Sequence, residues 1–463
     1  MVVLDEVDAV GKVEPAEVVV AEGLDEEAPR VAVDDRLEQE RTVETGGPDE
    51  HRGKVRGFGR APGADRWSPE GGDGRVAATV ACAAMAREFL SGAAGVESIG
   101  ARPIPEFAGN DAVWPRGDRL EAVRSATVAY RDRFLAAGHV AAVETHPIAA
   151  TSYPTRFALH GAAIAPTVPY VLLLSRLMIV RYDDFAGRRR TLLWEPTIPE
   201  GGAEAPFHAQ LEDRVSRVPG GRYLVENVLS QQHETLAEAL AAAGIGPAEV
   251  DYVSFGHLQA QDPRLLIGTT EPWADEPAPR PAMFPNARLI VQRREAETFA
   301  SVHPMQWAWY VDGGMEDIVE ESVVVVDGDL ELGVGVSVLA TPGNTDGHQS
   351  LALNTPDGAW VVSHNGVALD NWQPQLSKVP GVRSHADFFN REVVPNANTI
   401  EDSVDQYDSM VKEKTLASPS RPDPSWLQIL PARELSSSRR HWPVLPTHEH
   451  GEIAYGTLTR SRP

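Results

Sequence analysis

The hydrophobic pattern changes character along the chain. Residues 76–90 are Ala-rich with Met85 and Phe89 four apart, and residues 120–135 (LEAVRSATVAYRDRFL) repeat apolar positions at helical spacing, so both predict helices. Strand patterns take over at 168–182 and 190–195. These flank Asp183-Asp184-Phe185-Ala186-Gly187 and predict a hairpin with a longer loop. Helix and strand signals then alternate. Thr235-Leu236-Ala237-Glu238 is a capping-box sequence, and the Ala-rich run after it predicts a helix that stops at Gly244. Residues 250–255 predict a short buried strand, and further strands are predicted at 287–292, 322–326, 330–332, 334–340, 349–353 and 360–363. The Asp327-Gly328 pair predicts a β-hairpin between the two strands it separates. Residues 372–440 mix helix-like and Pro/Ser-rich sequence, with a helix predicted over 400–413, and the chain shows no internal repeat.

Charge divides the 463 residues unevenly. The first fifty hold 16 carboxylates against 4 basic residues, about half of the formal net charge of −25. With no periodic apolar face, residues 1–75 read as an acidic, mostly disordered tail. The domain plan that follows is this tail, a helical extension over 76–160, and a main α/β domain over 161–463 with an insertion at about 372–440. An acidic field of this size repels phosphate backbones and anionic lipid, so the expected partner is a small-molecule substrate, with no nucleic acid and no membrane. The apolar run 170–180 is interrupted by Arg176 and is too short to cross a bilayer, and the first twenty residues lack the basic start of a secretory leader. A single cysteine, Cys82, supports no intramolecular disulfide and no thiolate zinc site, so a cytoplasmic protein is expected. The sequence does not specify an oligomeric state.

Three polar clusters directly follow predicted strands: His257-Leu258-Gln259-Ala260-Gln261-Asp262, Thr341-Pro342-Gly343-Asn344-Thr345-Asp346-Gly347-His348, and Ser363-His364-Asn365-Gly366. A fourth, Pro446-Thr447-His448-Glu449-His450-Gly451, lies near the C-terminal end. Polar loops after buried strands are where α/β folds place their chemistry. Five of the fourteen histidines fall in these clusters.

The order and wording of the clusters resemble the metallo-β-lactamase superfamily, over roughly residues 169–455. That resemblance implies a four-layer αββα sandwich, found in hydrolases and some oxidoreductases. It also implies metal ligands at H-x-H-x-D-H after one strand, at T-P-G-H-T-x-G-H after another, at an acidic residue after a third, and at a late His. The chain departs from the pattern. His257 keeps the first position, but Gln259, Gln261 and Asp262 stand where His, Asp and His are usual. Asn344 replaces a liganding His, and the acidic position falls at His364 or Asn365. A divergent, relocated metal site is therefore expected, drawn from His257, Asp262, His348, His364, His448 and His450, with Gln259, Gln261, Asn344 and Asn365 around it.

Such a site predicts a metal-dependent hydrolase. Zinc needs about three protein ligands and an open position for water, and lowers that water's pKa to roughly 7. The metal-bound hydroxide would attack an ester, lactone, amide or related bond, with Asp262 as ligand or general base. Asp262 also has Arg264 nearby as an ion-pair partner. Two alternatives stand beside this: a mononuclear iron oxidoreductase on the same donors, and a metal-free, non-catalytic sandwich that binds a ligand or protein partner. Neither Ser nor Cys occurs in a nucleophile-elbow sequence. Trp307, Trp309 and Trp372 are read as pocket-shaping or packing indoles, and the nine remaining histidines, His208 among them, as surface or packed residues.

Overall fold

The computed structural model describes residues 93–159, 161–164, 170–218, 230–273, 276–396, 403–436 and 444–458. The acidic tail and the helix expected over 76–90 lie outside the described residues. Among those described, the strands, in chain order, are β1 (Arg102–Pro103), β2 (Ala142–Pro154), β3 (Tyr170–Asp183), β4 (Arg189–Trp194), β5 (Ser230–Gln232), β6 (Tyr252–Ser254), β7 (Arg288–Gln292), β8 (Val323–Val326), β9 (Leu330–Gly333), β10 (Val336–Ala340), β11 (Gln349–Thr355), β12 (Gly358–Ser363), β13 (Ile429–Pro431), β14 (Arg433–Leu435) and β15 (Ala454–Gly456). The longer helices are α1 (Arg116–Ala136), α2 (Pro206–Ser216), α3 (Leu236–Ala243), α4 (Arg293–Ala300) and α5 (Ser403–Leu416).

These strands form two sheets. A nine-stranded sheet runs β15-β2-β3-β4-β6-β7-β8, with β14 on β3 and β5 on β2, and a six-stranded sheet runs β1-β9-β10-β11-β12-β13. Period-two alternation sorts side chains between faces. Met178 and Val180 of β3 join Leu351 and Leu353 of β11 in the core between the sheets. Leu177 and Ile179 point the other way, onto Leu236, Leu240 and Phe299 of α3 and α4. Across the molecule, Ala352 and Val361 meet Tyr130 and Phe134 of α1 and Met410 and Val411 of α5. Among the described residues no helix is long and apolar enough to cross a membrane.

Local signals translate directly where they are self-contained. β3 and β4 pair antiparallel from Met178↔Trp194 to Asp183↔Arg189, and Asp184 Oδ1 closes their loop by accepting from the Ala186 and Arg188 amides. The capping box at α3 is complete, with Thr235 Oγ1 accepting from the Glu238 amide, and Gly244 ends the helix at φ 67°.

Three expectations are corrected. The strands around Asp327-Gly328 are not hairpin partners: β8 pairs parallel with β7, while β9 pairs with β10 in the other sheet. The turn crosses between sheets and is held by the Gln292 side chain, which donates to the Gly328 carbonyl and accepts from its amide. The segment 76–160 is not a helical extension alone, because β2 pairs with β3 along nearly its whole length. Nor is 372–440 an insertion, since α5 covers the six-stranded sheet and β13 and β14 extend both sheets.

Candidate functional site

Four chain segments converge where strands end at one rim: Glu195 after β4, residues 256–262 after β6, residues 341–348 between β10 and β11, and His364-Asn365 after β12. The sheets touch here. The Gln349 amide donates to the Gly256 carbonyl at 2.8 Å, and a Cβ at Gly256 would lie 2.7 Å from His364 Nδ1 and 3.3 Å from Glu195 Oε1. Only glycine leaves the centre of the cluster open. Gly347 serves closure in the same way, because a Cβ there would fall 2.0 Å from the Glu295 amide nitrogen at the start of α4.

His257, His348 and His364 come together in this rim, with ring centroids 4.5 Å apart for 257–364, 6.1 Å for 257–348 and 6.2 Å for 348–364. All three are buried, and burial holds them neutral: the His348 imidazole is pulled down to about 4, and those of His257 and His364 fall well below the ordinary value. Their hydrogen bonds differ. His348 Nδ1 lies 2.8 Å from the Thr341 carbonyl and so carries the proton, while its Nε2 accepts from the His364 amide at 3.2 Å. His257 Nδ1 accepts from the Gln259 amide at 3.1 Å. Neither ring nitrogen of His364 has a hydrogen-bond partner, and its Nδ1 is 3.6 Å from Glu195 Oε1.

Other expected site residues are placed differently. Asp262 is not a free base or ligand: its Oδ1 and Oδ2 each accept at 2.9 Å from the Arg264 side chain, and Oδ1 also takes the Arg264 amide at 3.0 Å. Arg264 is fixed in turn by the Gly313 and Asp312 carbonyls and by the Trp273 ring. His448 and His450 are not brought to the cluster. His448 stacks on Trp426 at 5.2 Å, and His450 packs on Trp360 at 5.0 Å while its Nε2 donates to the Leu427 carbonyl. Trp360 lies within β12, four residues before His364, so this pair packs further back along the strand and not at its end. Gln261 donates to Thr197 Oγ1, Asn365 Oδ1 accepts from the Asn344 amide, and Gln259 and Asn344 line a cavity of about 40 Å³ beside His257 and His364.

Sequence reasoning missed the groups that organise this rim. Glu195 sits at φ 57°, a left-handed conformation that non-glycine residues adopt at a cost and that often marks functional positions. Its carboxyl accepts the Gly256 amide, and burial pushes it up to about 8. Glu295 ties three loops together, accepting from the Leu258 amide, Tyr310 and Thr345. Glu413 of α5 accepts from Ser350, Ser363, Asn365 and Trp372. Burial raises both of these carboxyls. A carboxylate on a helix carries no local signal that it points inward, whereas Glu195 ends a strand as His257 does. His208 of α2, read as an ordinary histidine, lines both the small cavity and a larger one of about 340 Å³, as do Ala260 and Arg433. Trp309, stacked on Phe207 at 4.6 Å, walls the small cavity, whereas Trp372 is buried and Trp307 is half-exposed.

A zinc or iron centre needs about three converging donors. Both nitrogens of His348 and both oxygens of Asp262 are taken by the protein's own groups, and side-chain amides are weak donors. Among the described residues no group of three or more His, Cys, Asp or Glu side chains is disposed to hold a metal ion. The residues present do not fit a zinc or iron centre.

No family model matches the chain. Among solved structures, the chain is similar to a quorum-quenching N-acyl homoserine lactone lactonase (18% identity, 54% of this chain and 87% of that one, TM-score 0.34). It is also similar to a probable metal-dependent hydrolase from Staphylococcus aureus (14%, 59% and 83%, TM-score 0.38). A third is the dizinc quorum-quenching lactonase AidC, solved with a product (10%, 69% and 95%, TM-score 0.39). Likeness of this size does not extend to residue roles, and the chemistry of the rim rests on its own geometry.

Proposed function

We propose that this chain is a metallo-β-lactamase-like αββα sandwich that binds a small molecule at the family's site position without a transition metal. The observation that carries this reading is that two of the would-be ligands, His348 and Asp262, have every donor atom taken. His348 bridges the Thr341 carbonyl and the His364 amide, and Asp262 is locked to Arg264. Both act as framework groups that hold loops in place, a role that a metal would disrupt. The small cavity beside His257 and His364 shares His208, Ala260 and Arg433 with the larger one, which supplies the binding space and whose 340 Å³ lies at the lower end of the range of small-molecule pockets. The zinc hydrolase and iron oxidoreductase readings both need donors that these contacts consume.

Elemental analysis of the full chain purified without added metal tests this. The expected result is substoichiometric zinc and iron, no uptake on zinc titration, and no change in His257→Ala or His364→Ala. A full equivalent of either metal that is lost in those variants overturns the proposal.

A further inference from the structure

Arg433 is set apart from other buried and half-buried arginines of the chain. Arg176 pairs with Glu434, Arg264 with Asp262, Arg119 with Asp405 and Asp408, and Arg190 with Asp184 and Asp251. The Arg433 side chain makes no ion pair or hydrogen bond among the described residues. Glu195 and Tyr153 answer its charge only at longer range, and the Glu195 carboxyl is turned to the Gly256 amide instead. Arg433 is half-buried and lines both cavities, so a charged guanidinium without a close counter-charge faces space that a ligand can enter, and its position invites an anion.

The surroundings define which anion. Gln232, Ala149, Ser175 and Arg433 lie side by side in register on β5, β2, β3 and β14, so their side chains share one face. All four line the 340 Å³ cavity. The backbones of Ser175 and Arg433 therefore stand one strand spacing apart, about 4.8 Å, and their side chains on the shared face can both donate to one planar oxyanion. Pro199, Ala203 and Leu211 supply apolar wall, and the exposed Glu200 and Glu212 stand at the mouth. Carboxylates at the mouth and a net charge of −25 disfavour a dianion, while the guanidinium fork matches a carboxylate.

We infer that the larger cavity takes an organic monocarboxylate of modest size, its carboxylate seated between Arg433 and Ser175 and its apolar body against Pro199, Ala203 and Leu211. This rests on the metal-free binding reading and names the ligand class for that site.

The test is calorimetric titration of the full chain with benzoate and pentanoate, against the matched neutral benzamide and pentanamide, with inorganic phosphate as a further arm. Metal content is measured on the same sample. The acids should bind about 10- to 100-fold tighter than their amides, the worth of a charged hydrogen-bonded pair. Arg433→Gln should erase that preference and Ser175→Ala should reduce it. Equal binding of acids and amides, no binding of either acid at millimolar concentration, phosphate binding tighter than both acids, or a preference that survives in Arg433→Gln each overturns the inference. Should Arg433→Gln not fold, the comparison on the unaltered chain and the Ser175→Ala variant still decide. Failure of these arms in metal-free protein leaves the metal-free reading standing, whereas stoichiometric metal refutes that reading whatever the titrations give.

Discussion

Removing the Glu413 carboxylate should destabilise the protein more than any other single polar truncation at the rim. The side chain is fully buried on α5, and four donors from separate elements converge on it. Oε1 accepts from Ser350 Oγ at 2.8 Å, Ser363 Oγ at 2.8 Å and Asn365 Nδ2 at 2.9 Å, and Oε2 accepts from Trp372 Nε1 at 2.8 Å. In Glu413→Ala, Ser350 keeps its contact with Thr341 Oγ1 and Asn365 keeps the Thr341 carbonyl. The Trp372 N–H, the second Asn365 hydrogen and the Ser363 hydroxyl are left without acceptors. An orphaned buried donor costs about 1–3 kcal/mol, and the void adds to this, while release of a desolvated carboxylate offsets part. The net loss should be about 4 kcal/mol, a large fraction of a typical 5–15 kcal/mol total. Glu413→Gln keeps one acceptor and turns an amide donor toward Trp372, so its loss should be roughly half that. Urea denaturation followed by tryptophan fluorescence measures both, through a lowered midpoint at unchanged slope. A loss below about 1 kcal/mol in the alanine variant, or a larger loss in the glutamine variant, refutes the account of Glu413 as the tie between α5 and the rim.

Two more predictions concern the rim's other carboxyls. Burial raises Glu195 from 4.5 to about 8, so the native state keeps a proton that the unfolded chain releases. That contribution is complete below pH 4.5 and is lost as pH rises toward 8, at about 1.4 kcal/mol per pH unit. Glu195→Gln preserves the neutral form, so its stability should gain on the unaltered chain as pH climbs through this window. Parallel pH profiles in chemical denaturation would count against a protonated Glu195. Asp262→Asn leaves the Arg264 guanidinium buried without its carboxylate and should cost about 3 kcal/mol or more, while the acid-over-amide preference persists. A stable variant would return Asp262 to the list of chemical groups.

Much of the architecture is legible one segment at a time. The capping box at Thr235, the glycine stop at Gly244, the β3–β4 hairpin and the strands leading to His257, His348 and His364 all follow from spacing within about ten residues, and local sterics and burial on one face settle such patterns. That the three imidazoles lie in loops at strand ends was legible as well, but His257 belongs to the nine-stranded sheet and His348 and His364 to the six-stranded one, so their meeting depends on how the two sheets pack. Partnership between distant segments was not. Val323–Val326 and Leu330–Gly333 carry the same apolar signal whether they pair with each other or enter different sheets, and only the packing of two sheets against each other assigns them apart. Asp262 and Arg264 read equally well as catalytic base and bystander until a dry interior makes their pairing obligatory. His448 and His450 carry the composition of ligands but sit where Trp426 and Trp360 stack on them. Glu195, Glu295, Glu413 and Arg433 acquire their roles only through what surrounds them, since burial decides whether a charge is compensated, and burial belongs to the assembled fold and not to any stretch of sequence.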